Sequence, residues 1–238
     1  MKKILCLVFA GFGAEASAGA QSLPLACTEV GTQLEYADYD SRGALTGYTQ
    51  TVVVASESGP DGLIVETRTV MLDADRRPVE PAEGRSALQT DRLVVSAEGI
   101  CLRPDDWLDM VSGDDWKASV ECRGDKYLIP AVLHAGQLLP ELAMTLHIRT
   151  ENGFRTQVSI RIADRRVVAQ ETTTVPAGTY ETVCLTETVH VKWSVVGAAA
   201  QTRTWYAPGI GSVRAEKLNK RGKLESRSEL ISVLRPQR

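Results

Sequence analysis

Thr174-Val175-Pro176-Ala177-Gly178-Thr179-Tyr180 leads into Val183-Cys184-Leu185-Thr186-Glu187-Thr188-Val189-His190-Val191-Lys192-Trp193, and Trp205-Tyr206-Ala207-Pro208-Gly209-Ile210-Gly211-Ser212-Val213 follows. These segments decide the fold. Val183, Leu185, Val189, Val191 and Trp193 fall on one face; Cys184, Thr186, Thr188, His190, Lys192 and Ser194 fall on the other. Alternation of period two, rich in β-branched residues, is the pattern of a strand with one dry and one wet face. Such strands belong to antiparallel sheets. Pro176 has no N–H for a ladder and Gly178 tolerates positive φ, so Val175–Thr179 reads as the turn into this strand. Pro208, Gly209 and Gly211 predict a bend or bulge with close backbone approach.

The same reading extends along the chain. Leu34–Tyr39 and Leu45–Glu57 are strands joined by Asp40-Ser41-Arg42-Gly43, a type I turn closing into a bulge. Asn219 and Gly222 repeat that turn chemistry near the end, before a last strand from Leu224 to about Leu234. Ser58–Gly62 is a turn, Leu63–Leu72 a strand and Asp73–Gln89 an excursion. Arg92–Ser96 and Ile100–Arg103 form a short hairpin, and Trp116–Glu121 and Tyr127–Ile129 are short strands. Pro130–Pro140 is a connection. Leu142, Met144, Leu146 and Ile148 share a dry face, Asn152-Gly153 is a hairpin turn, and Val158, Ile160 and Ile162 continue the dry face. Asp164-Arg165-Arg166 and Gly197–Ala200 are expected to turn the chain. The one helix expected is Pro104–Ser112. Pro104 suits its start, Asp105 and Asp106 its positive end, and Trp107, Met110 and Val111 make an apolar stripe. The fold class is therefore all-β: an antiparallel curved sheet forming a half-barrel or barrel-like unit, with one short helix across it.

Lys2 and Lys3 precede an apolar run, Ile4–Phe12, and Ala18-Gly19-Ala20 fits a small-x-small cleavage site. Residues 1–20 read as a signal peptide and 21–238 as a single β half-barrel domain in the periplasm or outside the cell. The run is far shorter than the roughly 20 residues that span a bilayer, so no transmembrane span is expected. A lipid-bearing Cys27 is disfavoured, because Pro24 stands where a lipobox wants Leu. The net charge of −3 offers no argument for nucleic acid. Cys27, Cys101, Cys122 and Cys184 follow the leader. In an exported chain disulfides are the default, with Cys101–Cys122 favoured and Cys27–Cys184 second; one such bridge contributes about 3 kcal/mol.

Ile129-Pro130-x-x-Leu133-x-x-Gly136-Gln137-x-Leu139-Pro140, Thr174–Tyr180 and Trp205–Gly211 resemble, in matching order, the signature stretches of TapB-like exported bacterial proteins. The hairpins around Asp40–Gly43 and Asn219–Gly222 resemble that family too. A cysteine shortly after the Pro-Ala-Gly-Thr turn is usual there; Cys184 lies two residues late, on the same strand face. The resemblance implies export and an open or half-closed β-barrel, loosely like lipoprotein carriers. It implies no activity.

No catalytic, cofactor or metal constellation stands out. His134, His147 and His190 sit in a connection or on wet faces, the serines show no nucleophile elbow, and no cysteine–histidine spacing suits zinc. Asp105, Asp106, Asp109, Asp114 and Asp115 lack the spacing of a calcium loop and serve equally as helix-end charges. An enzyme is not expected. The dry face is the remaining clue. A sheet closed on itself would be filled by Trp107, Met110 and Val111. An open one would use the helix as a lid over a lipid or apolar small molecule, with Trp107, Met110, Val111, Met144, Leu146 and Trp193 at the ligand. The function expected is a non-enzymatic binding module for an apolar or amphiphilic envelope ligand. The alternative is envelope interaction or assembly through a strand edge or the basic last hairpin. A packed interior at these positions counts against the first.

Overall fold

A computed structural model describes residues 23–79, 88–104 and 118–237. Thirteen strands run β1 (Gln33–Asp40), β2 (Leu45–Gly59), β3 (Gly62–Asp73), β4 (Leu88–Ser96), β5 (Gly99–Leu102), β6 (Ala118–Gly124), β7 (Tyr127–Pro130), β8 (Leu142–Thr150), β9 (Arg155–Val175), β10 (Gly178–Trp193), β11 (Val196–Ala207), β12 (Gly211–Leu218) and β13 (Leu224–Leu234). No helix occurs among the described residues. The helix expected at Pro104–Ser112 lies outside them, beyond Pro104 itself.

All thirteen strands form one antiparallel sheet in the order β6-β8-β9-β10-β11-β12-β13-β1-β2-β3-β4-β5-β7. Neighbours are mostly sequential hairpins, as the turn chemistry requires. The Asp40 and Asn219 turns close as read: Gly43 and Gly222, both at positive φ, donate their N–H to Asp40 O and Asn219 O. One long-range pairing, β1 with β13, joins the first strand to the last. The sheet's two edges, β6 and β7, are consecutive in the chain and separated only by Asp125 and Lys126. Both run antiparallel to upward strands, β8 and β5, so they point the same way. The chain therefore leaves one edge and continues as the other. The edges are tethered, but no hydrogen-bonded ladder closes the sheet.

Two expected turns are not turns. Asp164-Arg165-Arg166 lies inside β9, where Thr186 pairs with Arg166 and Thr188 with Ala163. The residues between, Asp164 and Arg165, oppose Glu187 alone. This is a β-bulge, and Asp164 takes a left-handed φ of 52° in it. An extra residue bends a long strand and re-aims the side chains beside it. The other difference is the β10–β11 connection. Trp193 pairs with Val196, so the turn is Ser194-Val195, and Gly197–Ala200 are strand residues. The glycine and alanines were misread because small residues mark turns only when no partner strand satisfies their backbone.

The interior holds two buried clusters. One gathers Met144, Leu146, Ile162, Val167 and Leu185 with Leu25 and Ala26 from the segment before β1. The other gathers Val53, Val65, Val213 and Leu230 with Cys27. Burying each large aliphatic side chain contributes about 1.5–3 kcal/mol. The hairpin end of β9 and β10 reaches across to β13, where Ala177 N donates to Leu230 O at 3.1 Å. The expected disulfides are not formed. All four cysteines are buried, and a buried cysteine packs as a small hydrophobe.

Candidate functional site

Alternating strand directions define two ends. The lower end carries the turns after β2, β4, β9 and β11, the loop after β7 and the segment before β1. The three stretches quoted for the family resemblance all lie there. Gly209 N donates to Pro24 O at 2.7 Å, so the β11–β12 turn holds the leading segment in place. Leu25, Ala26 and Cys27 are buried by it. A cysteine carrying a lipid would have to leave this packed position.

Between that segment and the β4–β5–β7 corner lies a half-open cleft of about 690 Å³. Its apolar walls include Leu23, Leu25, Leu63, Val95, Ile100 and Ile129. Ala97 and Ala131 stand at its exposed rim. The corner is tight because β5 and β7 approach closely at Gly99: a Cβ there would sit 2.0 Å from Ile129 O. Cleft volume and lining match small-molecule sites, which are concave and mostly apolar.

The sites expected from sequence are distributed differently. Met144 and Leu146 are 2% and 5% exposed, belong to the packed core and are not among the residues lining this cleft. Leu146 pairs with Val158, and Val158 with Trp193, in one row across β8, β9 and β10. Trp193 shares their row but is 57% exposed, with Nε1 donating to Thr156 Oγ1 at 2.9 Å. Trp107, Met110 and Val111, like the aspartates from Asp105 to Asp115, lie outside the described residues. Among the described residues no three His, Cys, Asp or Glu side chains gather as a metal cage.

Sequence reasoning missed an interior polar cluster. Arg165 is 3% and Glu187 8% exposed. Arg165 Nε donates to Glu187 Oε1 at 2.7 Å, and its terminal nitrogens donate to Pro140 O at 3.1 Å and Leu128 O at 2.9 Å. Tyr127 Oη donates to Glu187 Oε2 at 2.9 Å, and the Arg165 guanidinium stacks 4.6 Å from the Tyr127 ring. Burial pushes the Tyr127 phenol well above its usual range and that of Tyr206 up to about 12. Every partner is a strand or loop of this chain. The cluster ties edge strand β7 and the loop before β8 to β9 and β10. Glu187 accepts from both Arg165 Nε and Tyr127 Oη, which fixes its carboxylate between β9 and β7. The available signal was Glu187 itself, a charge in the middle of an otherwise apolar strand face.

The profile of the DUF3108-like family matches residues 29–230, and the chain belongs to that family. Two solved structures share the fold. One is a protein described as exported, with a YmcC-like fold, from Bacteroides fragilis: 20% identical, TM-score 0.63, covering 90% of this chain and 100% of that one. The other is described as a lipoprotein, from Parabacteroides distasonis: 18% identical, TM-score 0.67, with the same coverage. No curated protein matches the sequence.

Proposed function

We propose that this is an exported, non-enzymatic binding protein of the bacterial envelope, and that the lower-end cleft seats an apolar or amphiphilic ligand. The observation that carries it is the cleft: about 690 Å³, walled by Leu25, Leu63, Val95, Ile100 and Ile129 and open on one side. Its open side leaves a polar group in water while a chain enters the apolar part. Because Met144 and Leu146 are packed in the core, the ligand is proposed at this end and not beside them. The expected leader at residues 1–20 and the resemblance to TapB-like exported proteins support an envelope setting, and the open sheet with its β6–β7 tether supports a half-barrel. The names of the two structural relatives agree with export.

The test is ligand content. Mature chain, residues 21–238, is purified from envelope fractions, examined by native mass spectrometry and titrated with a dansyl fatty acid. A bound amphiphile, or saturable dansyl binding, is expected. Ala97→Trp and Ala131→Trp fill the rim without touching the core and should abolish binding with the fold intact by circular dichroism. Saturable binding that both variants leave unchanged, or no binding at all, overturns the proposal.

A further inference from the structure

The upper end breaks local rules of sequence that the rest of the chain obeys. The β10–β11 turn is two residues long, Ser194-Val195, and Ser194 holds a left-handed φ of 54°. Two-residue hairpins that need positive φ strongly favour glycine or asparagine. Here the tip carries a serine and a β-branched valine. Val195 is 92% exposed and Val196 71%, beside the half-exposed Trp193. Phe154, at the tip of the next hairpin, is 59% exposed. Two other hairpin tips at this end are polar: Asp40 to Gly43 and Asn219 to Gly222. Departures from local rules without a gain in packing mark functional surfaces.

The surroundings identify the partner's chemistry. Val191 and Val195 share an open hollow with Lys192 and Lys220, whose only acidic lining residue is Glu225. Arg221 and Lys223 are exposed on the hairpin that carries Lys220. Glu225 pairs with Lys217 at 3.1 Å. Among the described residues none of Lys192, Lys220, Arg221 and Lys223 has an ion-pair partner. Other acidic side chains at this end are Glu151, on the Phe154 hairpin, and farther along the sheet Asp40, Asp73 and Asp75, of which Asp40 pairs with Arg42 and Asp75 with Arg77. An apolar tip with a tryptophan, flanked by unpaired cations, is complementary to the boundary between acyl chains and anionic headgroups. Tryptophan favours that boundary, and lysine and arginine favour anionic lipid. We infer that the β10–β11 hairpin tip is a membrane-docking surface: Trp193, Val195 and Val196 enter the outer part of an anionic phospholipid leaflet, and Lys192, Lys220, Arg221 and Lys223 hold its headgroups. This surface is separate from the cleft, so either can fail while the other stands.

The experiment is flotation of the mature chain with phosphatidylglycerol-containing vesicles and with phosphatidylcholine vesicles. The protein is expected to float with the anionic vesicles and to be released by salt. Val195→Asp with Val196→Asp should weaken binding at least about tenfold. Lys220→Glu with Arg221→Glu and Lys223→Glu should weaken it about as much. Ala131→Trp, which blocks the cleft, should float like the parent. All these residues are exposed, so the melting transition serves as a control for folding. No flotation, flotation that the tip and charge variants leave unchanged, or a concentration-dependent dimer that Val195→Asp abolishes in place of vesicle binding overturns the inference.

Discussion

Arginine meets glutamate on both faces of neighbouring strands, with the cation buried on one face and partly exposed on the other. On the inner face, Arg165 and Glu187 are 3% and 10% exposed in their side chains, and the carboxylate also accepts from Tyr127. On the outer face of β11, β12 and β13, Arg203 pairs across to Glu216 and Glu216 to Arg227, while Arg214 pairs across to Glu229. The cations of this second group are 28% to 43% exposed. Arg214 also covers the Trp205 ring at 4.9 Å. Two charges removed from water depend on each other, since neither has solvent to fall back on. In the outer group the arginines reach water, and Glu216, only 10% exposed, keeps a second arginine when one is removed. Through Tyr127, Leu128 and Pro140 the inner pair locks edge strand β7 and the loop before β8 to the β9–β10 hairpin. The outer ladder coats a sheet that other contacts already hold.

Breaking the inner pair gives the largest effect. Arg165→Ala or Glu187→Ala is expected to lower stability by about 3–5 kcal/mol in urea unfolding, because the remaining charge stays buried and unpaired. Glu187→Gln keeps an acceptor for Tyr127 and should cost less. A loss below about 1 kcal/mol for either alanine variant would place the inner pair in the class of the outer ladder.

Alkaline pH tests the same interior from another side. Burial raises Tyr127, Tyr206 and Tyr36 above the ordinary phenol value of 10.0, and raises Cys184 from 9.0 to about 12. A group whose folded value is raised contributes stability in full below its unfolded value and loses it as pH climbs towards the folded one. Unfolding midpoints should therefore hold steady to pH 9.0 and then fall as the pH rises towards about 12. Tyr206→Phe should flatten that fall. A midpoint independent of pH over that window would contradict the burial of these groups.

The outer ladder gives the smallest response. Arg203→Ala and Arg227→Ala are each expected to cost about 0.2–1 kcal/mol, and less in high salt, where exposed charges are screened. The Arg165→Ala loss should be insensitive to salt. Equal salt dependence of the two would erase the contrast between the faces.

The strands and most hairpins were legible in the sequence because their signals are local. Asp40 shows how: its carboxylate accepts from Arg42 N at 2.8 Å and Ala44 N at 2.9 Å, all within one turn. Asn219 does the same for Arg221 and Lys223. Signals that depend on distant partners were lost. Asp164-Arg165-Arg166 has the composition of a turn, and only Glu187 across the ladder makes it a bulge. Gly197–Ala200 looks like a loop until β10 takes up its hydrogen bonds. The even number of cysteines after the expected leader predicted bridges, whereas the structure places each in the core. Of the residues proposed for a ligand, Met144 and Leu146 were rightly placed on an apolar face, but alternation cannot tell a packed face from a lined cavity.

By itself the amino-acid order determined an all-β chain of antiparallel hairpins, since period-two alternation and turn chemistry act within a few residues of one another. Tertiary structure alone decided that β13 joins β1, that edge strand β6 continues into edge strand β7, and that Leu25–Cys27 plugs the lower end beside a cleft. It alone decided which apolar side chains meet solvent. Each of these depends on residues brought together from far along the chain, where the gain appears only once the whole sheet has formed.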